Sequence, residues 1–76
     1  MKSNKIDSLL KRNDKKYTDV ARYLGRTKQS VYFSKKTGSW SGRDLIKIAE
    51  LNNCNLAFIS KDGEIIEAFN INDLKR

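Results

Sequence analysis

Neither histidine nor proline occurs in the 76-residue sequence, and its one cysteine is Cys54. Without histidine or a second cysteine, a Cys/His zinc site and an intramolecular disulfide framework are both excluded. Histidine is also the commonest general base. No paired carboxylates, nucleophile–base set or phosphate loop stands in for it, so no enzyme is expected. A metal, another cofactor or a small-molecule ligand is equally unexpected. No apolar run approaches the roughly 20 residues that cross a bilayer. Met1–Leu10 lacks the apolar stretch of a signal peptide. The expectation is a reduced, cytoplasmic chain with no membrane partner. Cys54 itself reads as a small buried residue at a helix–strand junction.

Apolar residues form 38% of the chain and charged residues 33%. That is enough apolar matter for one small core in a single domain spanning 1–76. Lys and Arg number 16 against 9 Asp and Glu, a net charge of +7. The excess is concentrated at one end. Met1–Arg43 holds twelve basic and three acidic residues, a net +9, and Asp44–Arg76 holds four and six, a net −2. Such asymmetry is the electrostatic footprint of a polyanion binder, although a solvated cationic surface would also keep a small protein in solution. A membrane surface fits less well, because no long amphipathic helix with a bulky apolar face appears.

Apolar spacing marks helices over about 3–53, with no proline to interrupt them. Ile6, Leu9 and Leu10 share one helical face, with Ser3 or Asn4 as cap, Asp7 in the first turn and Asn13-Asp14 as the end. Thr18 is the expected cap of a second helix carrying Val20, Ala21 and Leu24, stopped by Gly25. Thr27 opens a third, with Val31 on its apolar side and Gly38 as its stop. Ser41 and Asp44 have capping-box spacing. Behind them Leu45, Ile48 and Ala49, widened by Ile46 and Leu51, lead to Asn52-Asn53. Trp40 reads as a core anchor ahead of this fourth helix.

The period then changes from helical to alternating. Two apolar runs, Leu56–Ile59 and Glu64–Phe69, flank Lys61-Asp62-Gly63, which predicts a β-hairpin over about 55–70. A two-residue Asp62-Gly63 loop would pair Ile59 with Ile66 and Phe58 with Glu67. A three-residue loop with left-handed Gly63 would pair Phe58 with Ile66 and Leu56 with Ala68. The second is favoured, because it gathers Leu56, Phe58, Ile66 and Ala68 on one face to cover the helices. Ile59 and Ile65 are then left on the other face. An isolated two-stranded ribbon has free edges that invite a second copy, so a homodimer joined through this hairpin at Ile59 and Ile65 is expected. The competing expectation is a monomer that tolerates both isoleucines in solvent.

The second and third helices combine Ala21, Gly25 and Val31. Alanine permits close helix approach, glycine a tight turn at positive φ, and valine a buried contact. Thr18–Val31 resembles the helix-turn-helix of the phage repressor and Cro type. Leu45-Ile-Lys-Ile-Ala49-Glu-Leu51 resembles the helix that follows it in the same family. The likeness runs from Ile6 to about Asn53, and the hairpin is similar to the C-terminal strands of small Gram-positive phage or plasmid members. It implies a lambda-repressor-like fold, mainly α, with about four helices followed by two antiparallel strands. Where family members carry an apolar residue three or four positions beyond Val31, this chain has Ser34 and Lys35. Either Tyr32 or Phe33 is therefore left to face the core.

By the same resemblance the third helix enters the major groove. Lys28, Gln29 and Ser30 would read base edges, with Tyr32 or Phe33 one turn on. Their chemistry suits this: Gln pairs with adenine, Lys with guanine, and an aromatic edge meets a thymine methyl. Tyr17, Arg26, Thr27, Lys35, Lys36 and Arg43 would meet phosphates of a double-stranded operator. The expected function is a sequence-specific transcriptional regulator, a repressor of a phage or mobile element. A protein-interaction module on the same scaffold, inhibitor or antitoxin-like, is the alternative.

Overall fold

The computed structural model describes residues 4–75. Four helices, α1 (Asn4–Arg12), α2 (Tyr17–Leu24), α3 (Lys28–Thr37) and α4 (Gly42–Leu51), precede two antiparallel strands. The strands are β1 (Leu56–Ile59) and β2 (Ile65–Phe69), followed by a 3₁₀ turn at Ile71–Leu74. The expected architecture, mainly helical with a C-terminal hairpin, is what the chain adopts. The 3₁₀ turn was not anticipated. Asn70 Oδ1 accepts from the Asn72 N–H at 2.8 Å and Asp73 accepts from the Asn70 N–H at 2.8 Å, and the turn packs on α4.

Helix boundaries follow their caps. Asn13-Asp14 closes α1 with Asp14 left-handed at φ 56°, and the Lys15 N–H reaches back to the Leu10 carbonyl at 2.8 Å. The expected cap at Ser3 lies outside the described residues, and Asn4 is the first residue of α1. Thr18 is not the cap of α2. Lys16 occupies that position, because the Asp19 carboxylate accepts its backbone N–H at 2.9 Å and so starts the helix two residues earlier. Gly25 adopts φ 70°, and the Arg26 N–H bonds to the Ala21 carbonyl at 3.0 Å. Thr27 caps α3, and Ser41 and Asp44 form the reciprocal box that starts α4.

The core lies where these helices cross. Ile6 and Leu10 of α1, Val20 and Ala21 of α2, Val31 of α3 and Ile48 of α4 form its centre. Leu9, Tyr17, Leu24, Trp40, Leu45 and Leu51 close its rim. Cys54 is exposed, not buried; its backbone N–H (2.9 Å) and its thiol (3.3 Å) both turn to the Ala49 carbonyl, closing the end of α4.

The hairpin has the three-residue loop, with Gly63 at φ 92° and the Ser60 N–H bonded to the Glu64 carbonyl at 2.8 Å. Its register departs from the favoured one. Ile59 pairs with Ile65, but a bulge then shifts the pairing to Phe58↔Glu67, Ala57↔Ala68 and Leu56↔Phe69. The shift brings the Phe58 and Phe69 rings edge to face at 5.6 Å. Phe58 and Ile66 therefore do not cover the helices. Phe58, Ile59, Ile65 and Ile66 are each 60–65% exposed.

Candidate nucleic-acid interface

One side of α3 is fixed to the core and the other faces solvent. Val31 is fully buried and Ser34 is 2% exposed, whereas Lys28, Gln29, Tyr32, Phe33 and Lys36 are all exposed. At 3.6 residues per turn these five lie within an arc of roughly 140°. The helix thus offers a continuous outer face of two cations, one amide and two aromatic rings. Neither Tyr32 (47% exposed) nor Phe33 (64%) turns to the core. The place of the missing apolar residue is taken by a polar contact.

That contact is Arg26. Its Nε and Nη2 donate to Ser30 Oγ at 2.9 and 2.7 Å, and Nη2 also reaches Ser34 Oγ at 2.8 Å and the Ser30 carbonyl at 3.0 Å. Nη1 pairs with Asp44 Oδ2 at 3.0 Å. A guanidinium has five donors in a fixed fork, and here it ties the turn, α3 and the first turn of α4 together. Arg26 is consequently a clamp inside the fold, its guanidinium engaged by partners within the chain. Ser30 is half-buried with its hydroxyl held by Arg26, so it stands apart from the outward face of α3.

Tyr17 also departs from its expected place. It is half-buried, and its O–H donates to the Asp7 carboxylate. Burial first, then this hydrogen bond and the carboxylate charge, push the phenol well above its ordinary value. Its ring lies 6.1 Å from that of Tyr32, and Lys35 Nζ sits 4.6 Å over Tyr17 and 5.7 Å over Tyr32. Thr27 is exposed, with Oγ1 accepting the Ser30 N–H at 3.1 Å. Lys36 and Arg43 are exposed, on the last turn of α3 and the first turn of α4.

Beside α3 runs an open groove of about 600 Å³, walled by the α1–α2 turn on one side and by Tyr32 and Lys35 on the other. Lys11, Lys15 and Lys16 line it, and sequence reasoning assigned none of them a role. The Lys15-Lys16 pair preceding Tyr17 was the available signal, but only the fold shows that this turn stands next to α3. At the far end of the chain, Ile59 and Ile65 are cross-strand partners on an exposed ribbon with no third strand among the described residues. No helix among the described residues is long and apolar enough to cross a membrane. No protein-family model, no curated protein and no solved structure matches the chain.

Proposed function

We propose that the protein is a sequence-specific double-stranded DNA-binding regulator of transcription, a cytoplasmic repressor of the phage or mobile-element kind. The observation that carries this reading is the outer face of α3: Lys28, Gln29, Tyr32, Phe33 and Lys36 project together from a helix anchored by Val31 and by the Arg26 clamp. An α-helix fits the major groove, where amide and ammonium groups distinguish base edges and aromatic edges meet thymine methyls. Thr27 and Arg43 flank that face and supply phosphate contacts, as does Lys36 at its C-terminal end. The net +9 of Met1–Arg43 adds the long-range attraction.

The regulator acts as a homodimer through its hairpins. Four large apolar side chains on a ribbon with open edges favour burial against a second copy. Association at this end joins the mildly acidic halves and keeps the two basic halves apart. Two-fold operators place half-sites about 34–36 Å apart.

Binding-site selection from random duplexes tests the reading. A recovered inverted repeat supports it, and recovery of unrelated sequences sinks it. The exposed Tyr32 and Phe33, side by side on α3, favour one other reading, a protein-binding face on the same scaffold. Wild-type protein that ignores heparin and duplex DNA at low salt would favour that alternative.

A further inference from the structure

We propose that Phe33 is the specificity-determining residue of the outer face of α3, and that it recognises the C5-methyl group of a pyrimidine, taking 5-methylcytosine in the place of thymine. The inference rests on the duplex-binding reading above and narrows it to one chemical group at one residue. Phe33 stands about 160° around the helix from Val31, the buried residue that anchors α3. It is 64% exposed, and among the described residues its ring pairs with no other. Tyr32 differs: its ring pairs with that of Tyr17 and lies under Lys35 Nζ. Gln29, Phe33 and Lys36 follow one another at i, i+4 and i+7, a single ridge along the side of α3 turned away from the core.

The ridge spans about 10 Å, or about three base-pair steps of roughly 3.4 Å. Polar side chains occupy its two ends and a purely apolar ring its middle. In the major groove the base edges present hydrogen-bond donors and acceptors, and the one apolar group that projects among them is the methyl on C5 of thymine. A ring pressed on a polar edge desolvates it and returns no bond, which costs free energy. Pressed on the methyl, it buries apolar surface on both sides. Phenylalanine has no polar atom with which to tell thymine O4 from cytosine N4. Its selectivity therefore follows the methyl group and not the base, so cytosine methylated at C5 serves as well. Phe33 lies about 6 Å along the helix from Gln29, which puts the methyl within about two base-pair steps of the pair that Gln29 reads.

Equilibrium binding to the selected site, with one pyrimidine at a time altered at C5, provides the test. Thymine→uracil removes the methyl and cytosine→5-methylcytosine adds it, and neither changes the base pairing. At one position within the segment read by α3, the wild type should lose about 4-fold in affinity with uracil in place of thymine, the worth of one buried methyl group. Cytosine placed at that position should be bound about 4-fold more tightly when methylated. Phe33→Ala should erase both differences and Phe33→Leu should keep part of each. Because the ring is 64% exposed, both variants keep the fold, which thermal melts check. Gln29→Ala should weaken binding yet preserve the methyl difference. A wild type indifferent to the methyl at every pyrimidine, or a methyl difference that persists in Phe33→Ala, overturns the assignment and leaves the regulator reading standing. A Phe33-dependent preference for thymine over uracil, with none for 5-methylcytosine over cytosine, overturns it too, since the ring would then respond to more than the methyl. Wild-type protein that binds no duplex at all overturns both.

Discussion

Replacing Arg26 by alanine separates a clamp from a phosphate contact. In the fold the guanidinium satisfies Ser34 Oγ, on a residue only 2% exposed, and pairs with an Asp44 side chain that is 17% exposed. Truncation strands both groups. A buried polar group left unsatisfied costs about 1–3 kcal/mol. Asp44 keeps its bond from the Ser41 N–H at 3.3 Å and regains some water, so its share falls at the low end. The sum is about 2–4 kcal/mol, a large part of the stability of a domain this size. At about 4–8 °C per kcal/mol, the melting temperature should fall by at least about 8 °C. Urea unfolding of Arg26→Ala, Asp44→Asn and the double variant supplies the coupling energy, expected near 1–3 kcal/mol. If Arg26→Ala melted within about 2 °C of wild type and lost affinity for every duplex alike, Arg26 would be a phosphate contact and the clamp argument would be wrong.

Gln29→Ala should lose about 1–3 kcal/mol on the selected site and relax discrimination at one base pair, measured by competition with single-base variants. Lys36→Ala should weaken all duplexes equally in the same assay. Gly25→Ala should cost about 1–2 kcal/mol from backbone strain alone in thermal melts, because an added Cβ would meet nothing within 4 Å. Ile59→Lys with Ile65→Glu should leave the helical circular dichroism unchanged and shift the sedimenting species to the monomer; a wild-type chain sedimenting at about 8.8 kDa in the tens of micromolar would refute the dimer. Because the Tyr17 phenol is raised, the stability it contributes is complete below its ordinary value near pH 10 and fades as pH climbs past it. Alkaline melts of Tyr17→Phe should lack that decline.

Helix positions and stops were legible because each rests on a short-range rule. Gly25, Gly38 and Asn13-Asp14 end helices by left-handed or turn conformations that depend on few neighbours. The start of α2 was missed because Lys16 caps it through its backbone, leaving the visible threonine without that task. The hairpin loop was legible from Asp62-Gly63, but the bulge beyond it was not, since the contact that accompanies it, Phe58 against Phe69, spans eleven positions. The candidate face of α3 was legible in Lys28, Gln29, Tyr32, Phe33 and Lys36. Arg26, Ser30 and Tyr17 lie further inward than expected: Arg26 is drawn in by Asp44, eighteen positions on, Ser30 by Arg26 itself, and Tyr17 by Asp7, ten positions back. Composition counts a cation as available until the fold supplies its counterpart.

Helix α4 connects features described separately above. Its first turn is bolted to α3 through Asp44 and Arg26, while the hairpin and the 3₁₀ turn rest on α4 as well. Its ten residues make a rod about 15 Å long. A force applied at the hairpin therefore has a stiff route to α3, in which the rod is the lever and the guanidinium the pin. Slackening the pin would weaken the fold and let the angle between α3 and α4 wander. If the proposed dimer binds paired half-sites, the Arg26→Ala chain should discriminate less than the wild type between operators whose half-sites are moved by one base pair.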